Sequence, residues 1–188
     1  MSLTTTPTTQ ANTDKLRRRV APLCHAIRLS AVGWIIWASV ATLSVFGSRV
    51  AVAEHYGRFF HTDLSGLSAP GYGEALAIVL FDLAIAWLIV VFIWRLFGHY
   101  LQGDIFSAAA VNEMWRGGWT GVAAVAADVL SRPLIAYSLT QHLGEDQRHY
   151  FWISPNDLLH LLLALFIVAL AHIFRTGVEI ADENRQIV

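Results

Sequence analysis

Four long apolar stretches alternate with short polar segments along this chain of 188 residues. The stretches lie at about residues 29–51, 75–95, 117–137 and 157–175. Each is long enough for a helix to cross the hydrocarbon core of a bilayer, which is about 30 Å thick. A cleaved signal peptide is the alternative for the first stretch, because Ala51-Val52-Ala53 resembles a cleavage site. That stretch, however, exceeds the roughly 7–15 apolar residues of a signal peptide. We therefore predict an all-α integral membrane bundle of four transmembrane helices, formed by residues 14–188.

The basic residues between the stretches predict the orientation of the bundle. With both termini in the cytoplasm, nine lysines and arginines lie on the cytoplasmic side: Lys15, Arg17, Arg18, Arg19, Arg28, Arg95, Arg116, Arg175 and Arg185. The external side then holds three: Arg49, Arg58 and Arg148. Because cytoplasmic segments of membrane proteins are enriched in Lys and Arg, we predict that both termini are cytoplasmic.

Three polar segments complete the plan of the chain. Residues 1–13 are rich in threonine and predict a disordered N-terminal tail. The first external loop, residues 49–74, predicts a short interfacial helix at 51–60. After the fourth stretch, residues 175–188 predict a short cytoplasmic tail that continues the last helix.

The composition is that of a membrane protein. The chain is 55% hydrophobic and 14% charged, whereas soluble domains contain about 25% charged residues. The lipid bilayer is therefore the first expected partner. A net charge of −1 gives no reason to expect direct binding of nucleic acid. The sequence contains no phosphate-binding loop, nucleophile elbow or dinucleotide fingerprint, so we predict a protein that is not an enzyme and carries no cofactor.

Eight histidines and one cysteine, Cys24, bear on metal and haem binding. A single cysteine excludes an intrachain disulfide and any CxxC or CxxCH motif. His160 and His172 are 12 residues apart, about 18 Å along a helix, which is too far for both to bind one metal ion. We assign no metal ligand, and a haem-binding or metal-binding membrane protein is the weaker alternative.

Four ionisable residues inside the apolar stretches form the candidate polar site: Asp82, Asp128, Arg132 and His160. At a rise of about 1.5 Å per residue, all four lie in the outer half of the membrane. Asp128 and Arg132 are four residues apart and share one helix face, so we expect Arg132 to pair with Asp128, with Asp82 or with both. Two interpretations stay open. The cluster is either a structural ion pair that fixes which helices face each other, or an ion pathway or small-ligand pocket, because two aspartates exceed one arginine in charge.

Two polar segments carry residues that indicate a family resemblance. The segment after the second stretch contains Gly103, Phe106, Ser107 and Asn112. The segment after the fourth contains Arg175, Gly177, Glu179, Glu183 and Asn184. Over about residues 25–188 the chain resembles a bacterial membrane family catalogued as domain of unknown function 2975. That family's pattern is Gly-x-x-Phe-Ser followed by Asn, and a later Arg-x-Gly-x-Glu-Leu-x-x-Glu-Asn. The chain departs from the family at Arg185-Gln186-Ile187-Val188, where the ending is usually Asp-Leu-Thr-Val.

The resemblance implies a four-span protein of the bacterial inner membrane without an established activity. Family members often lie beside small helix-turn-helix regulators, which implies a membrane sensor or tether. Our hypothesis is a non-enzymatic regulatory or accessory subunit that docks a protein partner through the two cytoplasmic segments. The alternative is a small transporter or channel-like protein that uses the polar cluster and needs a homo-oligomer. Gly117, Gly118 and Gly121 form a small-residue pattern suited to close helix packing, which favours interaction over catalysis.

Overall fold

The computed structural model describes residues 7–104, 107–146 and 152–186, with side chains over 20–104, 107–144, 152–180 and at Glu183. These residues form five α-helices, one 3-10 helix and no strand. The α-helices are α1 (Pro7–Phe46), α2 (Arg49–Phe60), α3 (Ala69–Gln102), α4 (Ala108–Thr140) and α5 (Pro155–Gln186), and the 3-10 helix is Gln141–Asp146. Four segments are long and apolar enough to cross a membrane: Val20–Phe46, Ala69–Gln102, Ala108–Gly144 and Pro155–Ile180. The predicted all-α class with four spans is confirmed, and the orientation stays a prediction.

The N-terminal part of the chain differs from the sequence prediction. α1 begins at Pro7, so residues 7–13, which the sequence assigns to a disordered tail, are helical. Proline suits the first turn of a helix, because its missing N–H would have no partner there. Residues 1–6 lie outside the described residues. The short helix expected at 51–60 is present as α2 and starts at Arg49, because the Ser48 hydroxyl accepts the Ala51 N–H at 3.1 Å and caps it.

Serine and glycine set the ends of the long helices. The Ser68 hydroxyl accepts the Gly71 N–H at 3.1 Å at the start of α3. The Ser107 hydroxyl accepts the Ala110 N–H at 3.2 Å at the start of α4. α3 ends at Gln102, and the next residue, Gly103, caps it with a φ of 92°, a left-handed conformation that glycine adopts without steric cost. Gly103 and Ser107, two residues of the predicted docking segment, therefore act in the structure as helix caps.

The four long helices pack as neighbours in chain order. α3 contacts α1 and α4, and α4 contacts α5. Two glycines of α4 bring α5 close. A Cβ added at Gly118 would lie 2.7 Å from Val168 Cγ2, and one added at Gly121 would lie 3.2 Å from Ala164 Cβ. The small-residue pattern therefore serves packing within this chain, because side chains of α5 occupy the space beside Gly118 and Gly121.

The buried core lies at one end of the bundle, where α2 and residues 61–68 pack on the ends of α1, α3 and α4. Eight buried residues form it: Phe46, Val52, Phe60, Leu64, Leu67, Ala75, Ala136 and Leu139. The Tyr72 hydroxyl donates to the Phe46 carbonyl at 2.6 Å and ties α3 to the end of α1. Along the spans, large apolar side chains such as Trp37 and Leu162 are exposed. Such surfaces are suited to contact with lipid.

Candidate functional site

Arg132 of α4 is bound by carboxylates from two helices. Its Nη1 and Nη2 donate to Oδ2 and Oδ1 of Asp157 in α5, at 2.7 and 2.6 Å. Nη2 also donates to Asp128, one turn earlier on α4, and Nη1 donates to the Trp152 carbonyl at 3.2 Å. The Asp157 side chain is 7% exposed, whereas that of Asp128 is 59% exposed. Two parallel N–H···O bonds fix orientation as well as distance, so the pair with Asp157 holds α4 against the start of α5.

Asp157 is held in position by the start of its own helix. The Ser154 hydroxyl accepts the Asp157 N–H at 3.2 Å, while Asp157 Oδ2 accepts the Ser154 N–H at 2.7 Å. This reciprocal pattern is a capping box, with Asp in the place where Glu or Gln is more frequent. A carboxylate in the first helical turn also complements the helix dipole. The run Ser154-Pro155-Asn156-Asp157 is therefore the sequence signal that could have identified Asp157. From the sequence alone, it indicates only that a helix starts there.

Asp82 of α3 is not a partner of Arg132. Its Oδ1 is buried and has no hydrogen-bond partner among the described residues. It lies near Ser131 and Asp128 of α4, so two carboxyl groups come close together there. Of the two partners expected for Arg132, Asp128 is present and Asp82 is not. Asp157 takes that place, because the packing of α5 against α4 brings its capped carboxylate to Arg132.

A groove of about 590 Å³ lies between α3, α4 and α5, and Trp34 of α1 also lines it. Its polar lining is Asp82, Asp128, Asp157 and His160. Its remaining lining is Ile85, Ala86, Ile89, Gly117, Gly118, Gly121, Ala124, Val125, Leu163, Ala164 and Ile167. We call this site the carboxylate groove. Three of the residues predicted for the polar site share it with Asp157, and Arg132 reaches it by binding two of its carboxylates.

A second groove, of about 530 Å³, lies between the first turns of α4 and the last part of α5. It is lined by Ala108, Ala109, Val111, Asn112, Trp115, Ala171, Arg175, Val178 and Glu179, and we call it the end groove. Arg175 Nε donates to Glu179 Oε1 at 3.2 Å, and both side chains are more than half exposed. Three residues of the predicted docking motif, Asn112, Arg175 and Glu179, therefore share one concave surface.

The other residues predicted for docking do not line the end groove. Gly103 and Ser107 cap helices, as described above. Gly177 lies on α5, where an added Cβ would meet nothing within 4 Å, and Glu183 is exposed further along the same helix. Phe106 lies outside the described residues, as does the side chain of Asn184.

Comparison with known proteins decides the family. The sequence model of one family matches residues 53–188, which is most of the chain. The chain belongs to the family described as Protein of unknown function (DUF2975). The match begins in α2, later than the resemblance at about residue 25, so α1 precedes it. No curated protein and no solved structure matches the chain.

Both grooves of this DUF2975 protein lie almost wholly in the matched part. Only Trp34 among the lining residues precedes it. Where the structure describes the chain, no group of three or more His, Cys, Asp or Glu side chains is arranged to hold a metal ion. The chemistry that the carboxylate groove offers is that of three carboxyl groups and one imidazole. These groups accept hydrogen bonds and attract positive charge.

Proposed function

We propose that this protein is a non-enzymatic regulatory or accessory subunit of the bacterial inner membrane that docks a protein partner in the end groove. The observation that supports the proposal is that the start of α4 and the last part of α5 line one concave surface. Asn112 and Arg175, 63 residues apart in the chain, both belong to it. Two segments that carry the family pattern thus form a single candidate surface.

The lengths of the helices support a position of the end groove outside the lipid. α4 and α5 have 33 and 32 residues, which makes each about 50 Å long at about 1.5 Å per residue. The hydrocarbon core is about 30 Å thick, so the helices extend beyond it. Arg116 and Arg175 are suited to the level at which α4 and α5 leave the lipid, because arginines collect at the cytoplasmic boundary.

The lining of the end groove supports a helical partner segment. Val111 and Val178 give the end groove an apolar lining, Trp115 is 42% exposed, and Arg175 also lines the groove. Exposed Trp and Arg beside apolar surface are enriched at protein interfaces. An amphipathic helix binds such a groove through its apolar face. We therefore infer that the partner contributes an amphipathic helix with a polar residue opposite Asn112.

A photo-reactive amino acid in place of Asn112, in living cells, tests this function. We expect it to cross-link a protein, whereas the same amino acid at Ala123, exposed in the middle of α4, contacts lipid. Ala109→Trp fills the end groove and should remove the cross-link. Ala123→Trp is the matched control, because it adds the same side chain at an exposed position of the same helix, and it should leave the cross-link intact. A cross-link that persists in Ala109→Trp, or the absence of any protein product at Asn112, would reject the end groove as the docking site.

The carboxylate groove supports a second candidate function, a small oligomeric transporter or channel-like protein. The supporting observation is the buried Asp82 Oδ1, since ionisable groups at membrane depth often belong to ion or proton pathways. In liposomes that contain a pH-sensitive dye, the protein should carry protons and Asp82→Asn should stop the flux. Equal flux in both proteins would exclude Asp82 from such a pathway.

A further inference from the structure

Where α1 lies beside α3, the side chain of Arg28 carries a charge that no described acidic residue pairs with. The guanidinium of Arg28 on α1 stacks on the Trp94 ring of α3, with 3.6 Å between Cζ and the ring centroid. Its side chain makes no ion pair or hydrogen bond with any described residue. Arg28 Nε is closed to solvent, so the two Nη groups are the part that a ligand can reach. A charge near the hydrocarbon is costly without a partner, so this place favours an anion.

An apolar strip of α3 continues from this charge along α1. Trp87, Val91 and Trp94 share one face of α3, because they are four and three residues apart, and each is more than a third exposed. Both ends of the strip contact α1, since Trp87 Nε1 donates to Ser39 Oγ at 3.3 Å and Trp94 stacks on Arg28. We call these five residues the α1–α3 seam. The strip is about 10 Å long at about 1.5 Å per residue, so part of an acyl chain can pack along it.

The position of Arg28 along α1 matches the level of lipid headgroups. Arg28 precedes Phe46, which belongs to the core at the other end of the bundle, by 18 residues. At about 1.5 Å per residue this is about 27 Å, close to the thickness of a hydrocarbon core of about 30 Å. Arg95, next to Trp94 in the chain, already faces Glu113, with 3.9 Å between Nη1 and Oε1. The unbalanced charge at this level of the seam is therefore that of Arg28.

We propose that the α1–α3 seam binds one anionic phospholipid, with its phosphate on Arg28 and one acyl chain along Trp94, Val91 and Trp87. The phosphate accepts N–H groups from the Nη atoms, and the planar guanidinium is suited to bind two phosphate oxygens at once. Basic sites between transmembrane helices bind acidic headgroups in this way. A headgroup with a net negative charge balances Arg28, whereas a zwitterionic one brings a second cation. The seam is separate from the end groove and does not depend on partner docking there.

The test titrates the full-length protein, in a non-ionic detergent, with phosphatidylglycerol. Phosphatidylcholine with the same acyl chains is the control lipid. Native mass spectrometry should show one saturable site that prefers phosphatidylglycerol, and the midpoint of thermal unfolding should rise with its concentration. Arg28→Gln should weaken the affinity by about tenfold or more, because it removes a charged hydrogen bond. Arg116→Gln is the matched control, because it removes the same charge at an exposed position near the start of α4, outside the seam, and it should leave the affinity unchanged.

A second variant keeps the test decisive if Arg28→Gln does not fold. Trp94→Leu keeps an apolar side chain at this exposed position and removes the ring on which Arg28 stacks. It should weaken the binding of phosphatidylglycerol by about threefold or more. Unchanged affinity in either folded variant would overturn the site. Equal affinity for phosphatidylcholine would overturn the anionic headgroup, and displacement of phosphatidylglycerol by inorganic phosphate would overturn the lipid in favour of a free anion.

Discussion

Replacing Arg132 with leucine tests whether the ion pair between α4 and α5 stabilises the bundle. The change leaves the Asp157 carboxylate, 7% exposed, without its cationic partner. Breaking a buried ion pair from one side typically costs about 3–5 kcal/mol. We expect the lower end of this range, about 3 kcal/mol, for Arg132→Leu. Asp157 retains the hydrogen bond from the Ser154 N–H and its favourable place at the start of α5, and both stabilise the charge that remains.

A second substitution separates the lost pair from a general packing defect. Arg132→Leu combined with Asp157→Asn removes both charges, while the amide oxygen of asparagine can still accept the Ser154 N–H. Most of the lost stability should therefore return. Asp128→Asn is the matched control, because Asp128 accepts one N–H of Arg132 whereas Asp157 accepts two, so the loss of stability should be smaller than for Arg132→Leu.

The free energy of unfolding of each variant is measured by denaturant titration in detergent, followed by near-UV circular dichroism. Arg132→Leu with unchanged stability would refute the reasoning, because the guanidinium would then extend to the membrane surface instead of stabilising the bundle. Rescue by Asp82→Asn in place of Asp157→Asn would identify Asp82 as the partner and contradict the observed pair.

Three further predictions concern packing, the polar tie at the core and orientation. Gly118→Ala should destabilise the bundle by about 1–3 kcal/mol, because the added Cβ would lie 2.7 Å from Val168. Gly33→Ala is the control, because an added Cβ there meets nothing within 4 Å. It should be neutral or stabilising in the same unfolding assay. Tyr72→Phe should cost about 1 kcal/mol by the same measurement, because it leaves the last carbonyl of α1 without its donor. A topology reporter fused after Tyr137 should be active only on the external side, and activity of a cytoplasmic reporter there would refute the predicted orientation.

The candidate polar site shows how far sequence reasoning extends. The contact between Asp128 and Arg132 could be predicted, because residues four apart are neighbours on any α-helix. The pair with Asp157 could not. The sequence around Asp157 indicates a helix start, and a capping box by itself does not say what else its carboxylate faces. That depends on how α5 is rotated and how closely it approaches α4, which the contact of Gly118 with Val168 helps to set.

The sequence by itself determined the helices and the family. In lipid, backbone N–H and C=O groups must be paired within the segment, so a long apolar stretch is enough to predict a helix that spans the membrane. Gly103 and Ser107 end and start helices through conformations and hydrogen bonds that are local in the chain. Only the tertiary structure decided that, among the described residues, Asp82 does not pair with Arg132 and that Asn112 and Arg175 share one groove. These contacts join residues far apart in sequence, and side-chain size at the points where two helices meet sets which residues come together.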